Sequence, residues 1–284
     1  MTNLSLLGGR AAAAGRRIPG SLVVSFVLIA LCLVAIALTP FVSAGATAQN
    51  ILDGLLPPGS PGHILGTDEL GRDILLLTIA GTGSALVGPA CIALGSMLIG
   101  ILFGSLGAYH RGPLDFVIGR ATDLLLALPV MLLAIVVAGI FGSGYWITVL
   151  LLVFLFSPSD VRIVRAGVLE QAPRPYVEAA QMLSLSRWRI MFRHILPNVL
   201  PLIITNLLLN IAIALVTLSS LSFLGLGVAP GAADWGRQIS DGRSIMLDNP
   251  AAVIVPAILI IAVACSINLI GDWLGKVISQ RSDR

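Results

Sequence analysis

Predominantly apolar runs recur along the chain at lengths that a bilayer requires, since a helix needs about 20 such residues to cross the hydrocarbon. Six segments reach that length, at 21–42, 84–109, 117–141, 145–165, 197–223 and 251–273. The pattern divides the chain into a tail at 1–20, a first helix at 21–42, a polar loop at 43–83, a core at 84–275 and a second tail at 276–284. Two connections inside the core stand out, 166–196 and 224–250. The fourth run is the least clean, because its strongly apolar part ends at Phe156, before Ser157, Pro158 and Asp160. Those residues are expected toward one membrane face, where a charge reaches water or a neighbouring helix.

Small residues recur every fourth position at Ser96, Gly100, Gly104 and Ala108, and again at Ala134, Ala138 and Gly142. In lipid that spacing marks helix faces that pack closely. Asn198, Asn206, Asn210 and Thr217 fall on one face of the fifth helix, with Ala214 between. Amides do not face lipid tails cheaply. Two readings stand side by side: hydrogen bonds between helices, of about 0.6–2 kcal/mol each, or the lining of a translocation path.

Composition agrees with an all-α polytopic membrane protein. Hydrophobic residues make up 57% and charged residues 11%, with a mean hydropathy of +0.98, whereas soluble domains carry about 25% charged residues. Cys32, Cys91 and Cys265 lie singly in apolar runs, with neither metal-ligand nor disulfide spacing, and read as packing residues. Charge sets the orientation, because cytoplasmic loops are enriched in Lys and Arg. With both termini inside, only Arg72, Arg237 and Arg243 of the 17 basic residues fall outside. Arg10, Arg16, Arg17, Arg111 and Arg284 are among the inner set. A cleaved leader competes for the N-terminus, with Ala44, Gly45 and Ala46 as its cleavage site. Its apolar core, Leu22 to Leu38, is longer than the about 7–15 residues usual for a signal.

Several chemistries are missing. Arg120, Asp123, Asp160 and Asp272 all fall toward cytoplasmic helix ends, which leaves no mid-membrane charge for proton coupling. Lys276 follows Gly275, but Ile270 stands where G-x-x-x-x-G-K needs its first glycine. No His/Glu metal cluster or nucleophile–base pair occurs in the spans, so neither a metal site nor a catalytic site is expected. Transport energy has to come from another chain.

The connection at 166–196 predicts two short helices. Pro173 and Pro175 stop the fourth helix and start a new one at 175–183, with Glu178 in its first turn. Ser184 and Ser186 break it, and a second helix at 187–195 interleaves Arg187, Arg189 and Arg193 with Trp188, Ile190, Phe192 and Ile195. This second helix reads either as an interfacial helix on lipid headgroups or as part of a docking surface. Tyr176-Val-Glu-Ala-Ala180, with Ile195-Leu-Pro197 downstream, resembles the EAA loop of bacterial ABC importer permeases. Ser184 stands where that loop has glycine.

Further motifs narrow the resemblance. His63-Ile-Leu-Gly-Thr-Asp-Glu-Leu-Gly-Arg-Asp73 resembles the GTDxxGRD signature of the dipeptide, oligopeptide and nickel permeases. Leu221-Ser-Phe-Leu-Gly-Leu-Gly227 with Trp235-Gly236 and Asp241-Gly-Arg243, and Asn268-Leu-Ile-Gly-Asp272, resemble the last helices of the same group. Leu76, Leu77, Gly83 and the stretch Gly231-Ala-Ala233 depart from its usual residues.

The resemblance implies a type I, MetI-like permease fold and a C-type subunit in the bacterial cell membrane. It also implies a B-type permease partner, two cytoplasmic ATPase subunits or domains that bind ATP and Mg, and an extracytoplasmic binding protein, with no cofactor or nucleic acid on this chain. Dipeptides and oligopeptides are the implied cargo, with nickel or another small solute as the alternative and a solitary channel or carrier as the outside rival. The ATPase-coupling residues are then Tyr176, Glu178, Ala179, Ala180, Ser184, Arg187 and Arg193. Asn206, Asn210, Thr217 and Asn268 are the candidate pathway residues, and Asp68, Arg72, Asp73, Trp235 and Arg243 the outer rim. For the outer motifs, turns, caps and local ion pairs are the competing role.

Overall fold

In lipid the backbone has no hydrogen-bonding partner but itself. The described chain is accordingly helical, with no strand among the described residues. The computed structural model describes residues 19–110, 112–142 and 144–282. The tail carrying Arg10, Arg16 and Arg17, together with Arg111 and Arg284, lies outside the described residues.

The long helices are α1 (Gly20–Thr47), α2 (Ile74–His110), α5 (Tyr145–Gln171), α8 (Leu196–Phe223) and α10 (Ala251–Ser282), each carrying a stretch apolar and long enough to span a membrane. Between them come α3 (Pro113–Leu126), α4 (Val130–Phe141), α6 (Pro175–Met182), α7 (Arg187–Ile190) and α9 (Trp235–Gly242).

The first and last helices run longer than expected, to Thr47 and Ser282, and three further differences have a clear physical reason. The expected third span at 117–141 is a broken pair, α3 and α4, bent by 85°. Pro129 has no N–H to continue the ladder and pushes the residue before it out of the helical region. Counted as one span, the pair completes six.

The second helix starts at Ile74 rather than 84, because its outer turns are held by tertiary contacts. Trp235 donates its ring N–H to the Thr78 carbonyl at 2.9 Å, and the Ser84 hydroxyl donates to Asp234 at 2.9 Å.

The fourth span runs to Gln171 straight through Pro158. Proline at 158 leaves the Phe154 carbonyl without its usual donor four residues on. The Ser157 hydroxyl donates to that carbonyl at 2.9 Å and keeps the helix whole.

The longer α5 moves Asp160 from a helix end to near the middle of the helix, where it is fully buried. This overturns the expectation that Asp160 falls at a helix end.

The small-residue face of α2 packs on α5 as its spacing predicts. A side-chain carbon at Gly100 would meet Asp160 at 2.6 Å, and one at Gly104 the Val161 carbonyl at 2.7 Å. Arg165 then pins α3 to α5, donating from Nε and Nη2 to the two Asp115 oxygens at 2.6 and 2.7 Å. Nearby, Arg162 donates to Asp123 at 2.6 Å. On the other flank α1 meets α10 through Phe26 edge-on to Trp273.

Candidate functional site

The connection at 166–196 is anchored in the helical core of the protein. Val177 and Ala180 of α6 are buried against Val164 and Val168 of α5 and against Ile190, Ile195 and Val199 of the following segment. A helix of 8 residues does not persist in water unaided. Burying one valine contributes about 1.5–3 kcal/mol, so tertiary packing holds it. Its other face is bare. Tyr176, Glu178 and Ala179 are exposed, and the helix ends in an apolar crest, Met182 at 84% and Leu183 at 74% exposure.

Ser184 closes the turn in the left-handed region, at φ +54°. Its N–H reaches the Gln181 carbonyl and that of Leu185 the Ala180 carbonyl, at 2.9 and 3.4 Å. This is the Schellman pattern, which glycine fits best. Serine there therefore keeps the turn at a conformational cost of about 1 kcal/mol. Ser184→Gly is expected to raise the melting temperature by about 2–4 °C in nanodiscs, with ATPase coupling unchanged. A fall in melting temperature would contradict this account of the turn.

After it, Ser186 accepts from the Arg189 N–H as the N-cap of α7, and Arg187 and Arg193 point into solvent. The helix loosens into a π-turn at Met191–Ile195 before α8.

Near the middle of α5 the structure gathers two of the four candidate pathway residues onto a group that the sequence reading placed at a helix end. Asn206 and Asn210 of α8 each donate an amide N–H to Oδ1 of Asp160, at 2.6 and 2.7 Å. Ser96 of α2 also stands against this carboxyl, whose Oδ2 is buried without a hydrogen bond. No cation pairs with Asp160 among the described residues. The cluster ties α2, α5 and α8 together. Thr217 turns its hydroxyl onto the Ile213 carbonyl at 2.9 Å. On α10, Asn268 is half-buried and its side-chain oxygen has no partner.

At the opposite end of the helices from α6, the motif before α2 folds into a network of caps. Asp68 accepts from the N–H groups of Leu70 and Arg72, both at 2.9 Å, and from Arg72 Nε at 2.6 Å. Asp73 accepts from the Leu76 N–H at 2.9 Å and pairs with His63 at 2.7 Å. Arg72 is 6% exposed and reaches across to the Gly231 carbonyl at 3.2 Å.

α9 is seated on α8 and α2 by Trp235, which is 1% exposed. Its N-cap Asp234 is 3% exposed; burial pushes this carboxyl up, opposed by the Arg237 N–H and the Ser84 hydroxyl. Of the five outer-rim residues, Arg243 is the one classed as exposed, and it forms no ion pair among the described residues.

Asn249, unremarked in the sequence, is the clasp of this side. Its amide donates to the Leu65 carbonyl at 3.0 Å while its oxygen accepts from the Ala251 N–H at 3.1 Å. The signal for it was an Asn-Pro pair just before an apolar run, where an N-cap belongs.

One broken span, a two-helix knob packed on the core and a capped loop beside α9 on one helical body define a polytopic helical membrane protein. Residues 96–284 match the family described as binding-protein-dependent transport system inner membrane component. The chain belongs to that family and is a multi-pass inner-membrane ABC importer permease. It is 36% identical over 256 residues to the glutathione transport system permease protein GsiD of Pectobacterium atrosepticum, covering 89% of this chain and 85% of the relative. With the dipeptide transport system permease protein DppC of Haemophilus influenzae it shares 34% over 268 residues, 92% of this chain and 90% of the relative. Its fold is similar to a chain of the inward-facing MetNI methionine ABC transporter, with TM-score 0.61 and 16% identity over 72% of this chain and 97% of that one.

Proposed function

We propose that this permease forms half of the membrane pathway of a peptide importer and is driven through α6 by cytoplasmic ATPase subunits that hold the ATP and Mg. Both termini are cytoplasmic in this reading. A homologous B-type permease supplies the other half, an extracytoplasmic binding protein delivers the cargo to the rim around Arg243, and the chain itself catalyses nothing. The names of the dipeptide and glutathione permeases among its relatives support peptides as the cargo class.

The observation that carries the coupling role is the two-sidedness of α6. One face joins, through Val177 and Ala180, the buried cluster that also holds residues of α5 and α8, while the other presents the bare crest of Met182 and Leu183. Force on the crest therefore moves both long helices at once, and the Asp160 cluster passes that motion to α2.

The test is Met182→Glu with Leu183→Glu, which alters exposed residues and leaves the core intact. Co-purification of the ATPase is expected to fall at least tenfold, and peptide-stimulated ATP hydrolysis to vanish in nanodiscs. Wild-type hydrolysis in this variant would overturn the coupling role, and stimulation by nickel chelates but not peptides would overturn the cargo class.

A further inference from the structure

The segment after α6 carries a second surface, separate from the Met182–Leu183 crest, and it includes Arg187 and Arg193 from the coupling set that the resemblance implied. Between the inner end of α2 and the start of the α8 run lies a narrow apolar crevice, walled by Ser105, Leu106 and Tyr109 on one side and Trp188, Met191 and Phe192 on the other. Arg187 also lines it. The rings of Trp188 and Phe192 stack 5.5 Å apart at 4° and are 55% and 44% exposed. Arg187, Arg189 and Arg193 are all exposed, none in an ion pair among the described residues, and no acidic residue occurs between Glu178 and Asp234. At the bottom of the crevice Ser105 is 2% exposed, and its hydroxyl is buried without a hydrogen-bond partner.

The helical run from Arg187 to Phe223 has 37 residues, about 55 Å at 1.5 Å each. That exceeds the hydrocarbon thickness of about 30 Å, so its first turns stand at or beyond the headgroups. Stacked aromatics at that depth belong to the interface, and arginines beside them reach for phosphate.

The geometry points to a binding site for an anionic phospholipid of the inner leaflet. The three arginines hold its headgroup, and an acyl chain lies along Leu106, Met191 and Phe192. The inner-leaflet placement rests on the orientation proposed above. Charge with exposed aromatic surface distinguishes this ligand from a soluble phosphate, which has no use for Trp188 or the crevice.

The test uses the full permease in nanodiscs of phosphatidylglycerol mixed with phosphatidylcholine, counting retained lipid by native mass spectrometry. Each arginine near a membrane surface contributes about 1 kcal/mol toward anionic lipid, about fivefold in affinity. Arg187→Gln, Arg189→Gln and Arg193→Gln together are expected to weaken phosphatidylglycerol retention about a hundredfold, with phosphatidylcholine retention unchanged. Unchanged phosphatidylglycerol binding overturns the proposal, as does an equal loss of both lipids. Loss of bound ATPase with lipid retention intact assigns the arginines to the partner and overturns it too. Because the readout is lipid, failure of the importer reading would leave it unaffected.

Discussion

Replacing Asp160 with alanine is expected to remove most of the folded permease from the membrane. The variant leaves the amides of Asn206 and Asn210 without the oxygen both donate to, in a site where Asp160 itself is 0% exposed. A stranded buried donor costs about 1–3 kcal/mol, so the pair costs about 2–6, against a total stability of about 5–15. Hydrogen bonds between membrane helices often measure only about 0.6 kcal/mol, because the separated helices find other partners. That compensation acts on the unfolded side. In the folded variant the buried Asn210 amide stays stranded, while the half-buried Asn206 regains part of its bonding, so the penalty falls inside that range.

Asp160→Asn keeps an acceptor oxygen and is expected to retain most of the yield. Thermal unfolding in nanodiscs and peptide uptake by vesicles measure the two consequences separately. Wild-type yield for Asp160→Ala would sink the idea of a three-helix clasp. Asn206→Leu with Asn210→Leu separates the two roles open in the sequence. An assembled complex that no longer imports makes these amides part of the pathway, and a complex that fails to assemble makes them struts.

Gly71→Ala is expected to release the outer loop from the start of α2. Gly71 has φ +70°, and a side-chain carbon there would sit 1.7 Å from the Asn50 carbonyl oxygen. The left-handed backbone alone costs alanine about 1–2 kcal/mol. The overlap is with backbone, which cannot swing away as a side chain can. Relief requires breaking the Asn50 N–H to Leu70 carbonyl bond, which holds the loop against the motif. A loss of about 3 kcal/mol or more follows, confined to the outer platform.

Gly59→Ala is the control. Its φ is +87° but nothing lies within 4 Å, so it bears the conformational cost alone. Limited proteolysis from the outer side should cut the Gly71 variant within residues 48–73 and spare the Gly59 variant. ATPase co-purification should be normal in both, because α6 sits at the far end of the helices. Protease resistance equal to wild type in Gly71→Ala would overturn this view of the motif.

The sequence by itself determined the lipid setting, the places of the spans, the two-helix knob and the outer motifs, because each follows from local cause. Span length follows from bilayer thickness, and Pro175, Ser184 and Ser186 punctuate the knob through their own backbone preferences. Even the departure at Ser184 was legible, although only the fold shows that a serine adopts the left-handed turn there.

What tertiary structure alone decided is which polar groups meet inside the membrane. The apolar run read as ending at Phe156, but Ser157 satisfies the carbonyl that Pro158 frees, α5 continues to Gln171, and Asp160 lies buried within it. Asp160 lies 46 and 50 residues from the asparagines it holds. The rotation of one apolar helix against another is set by packing across such separations, and hydropathy is nearly blind to it, since lipid and protein interior are equally apolar.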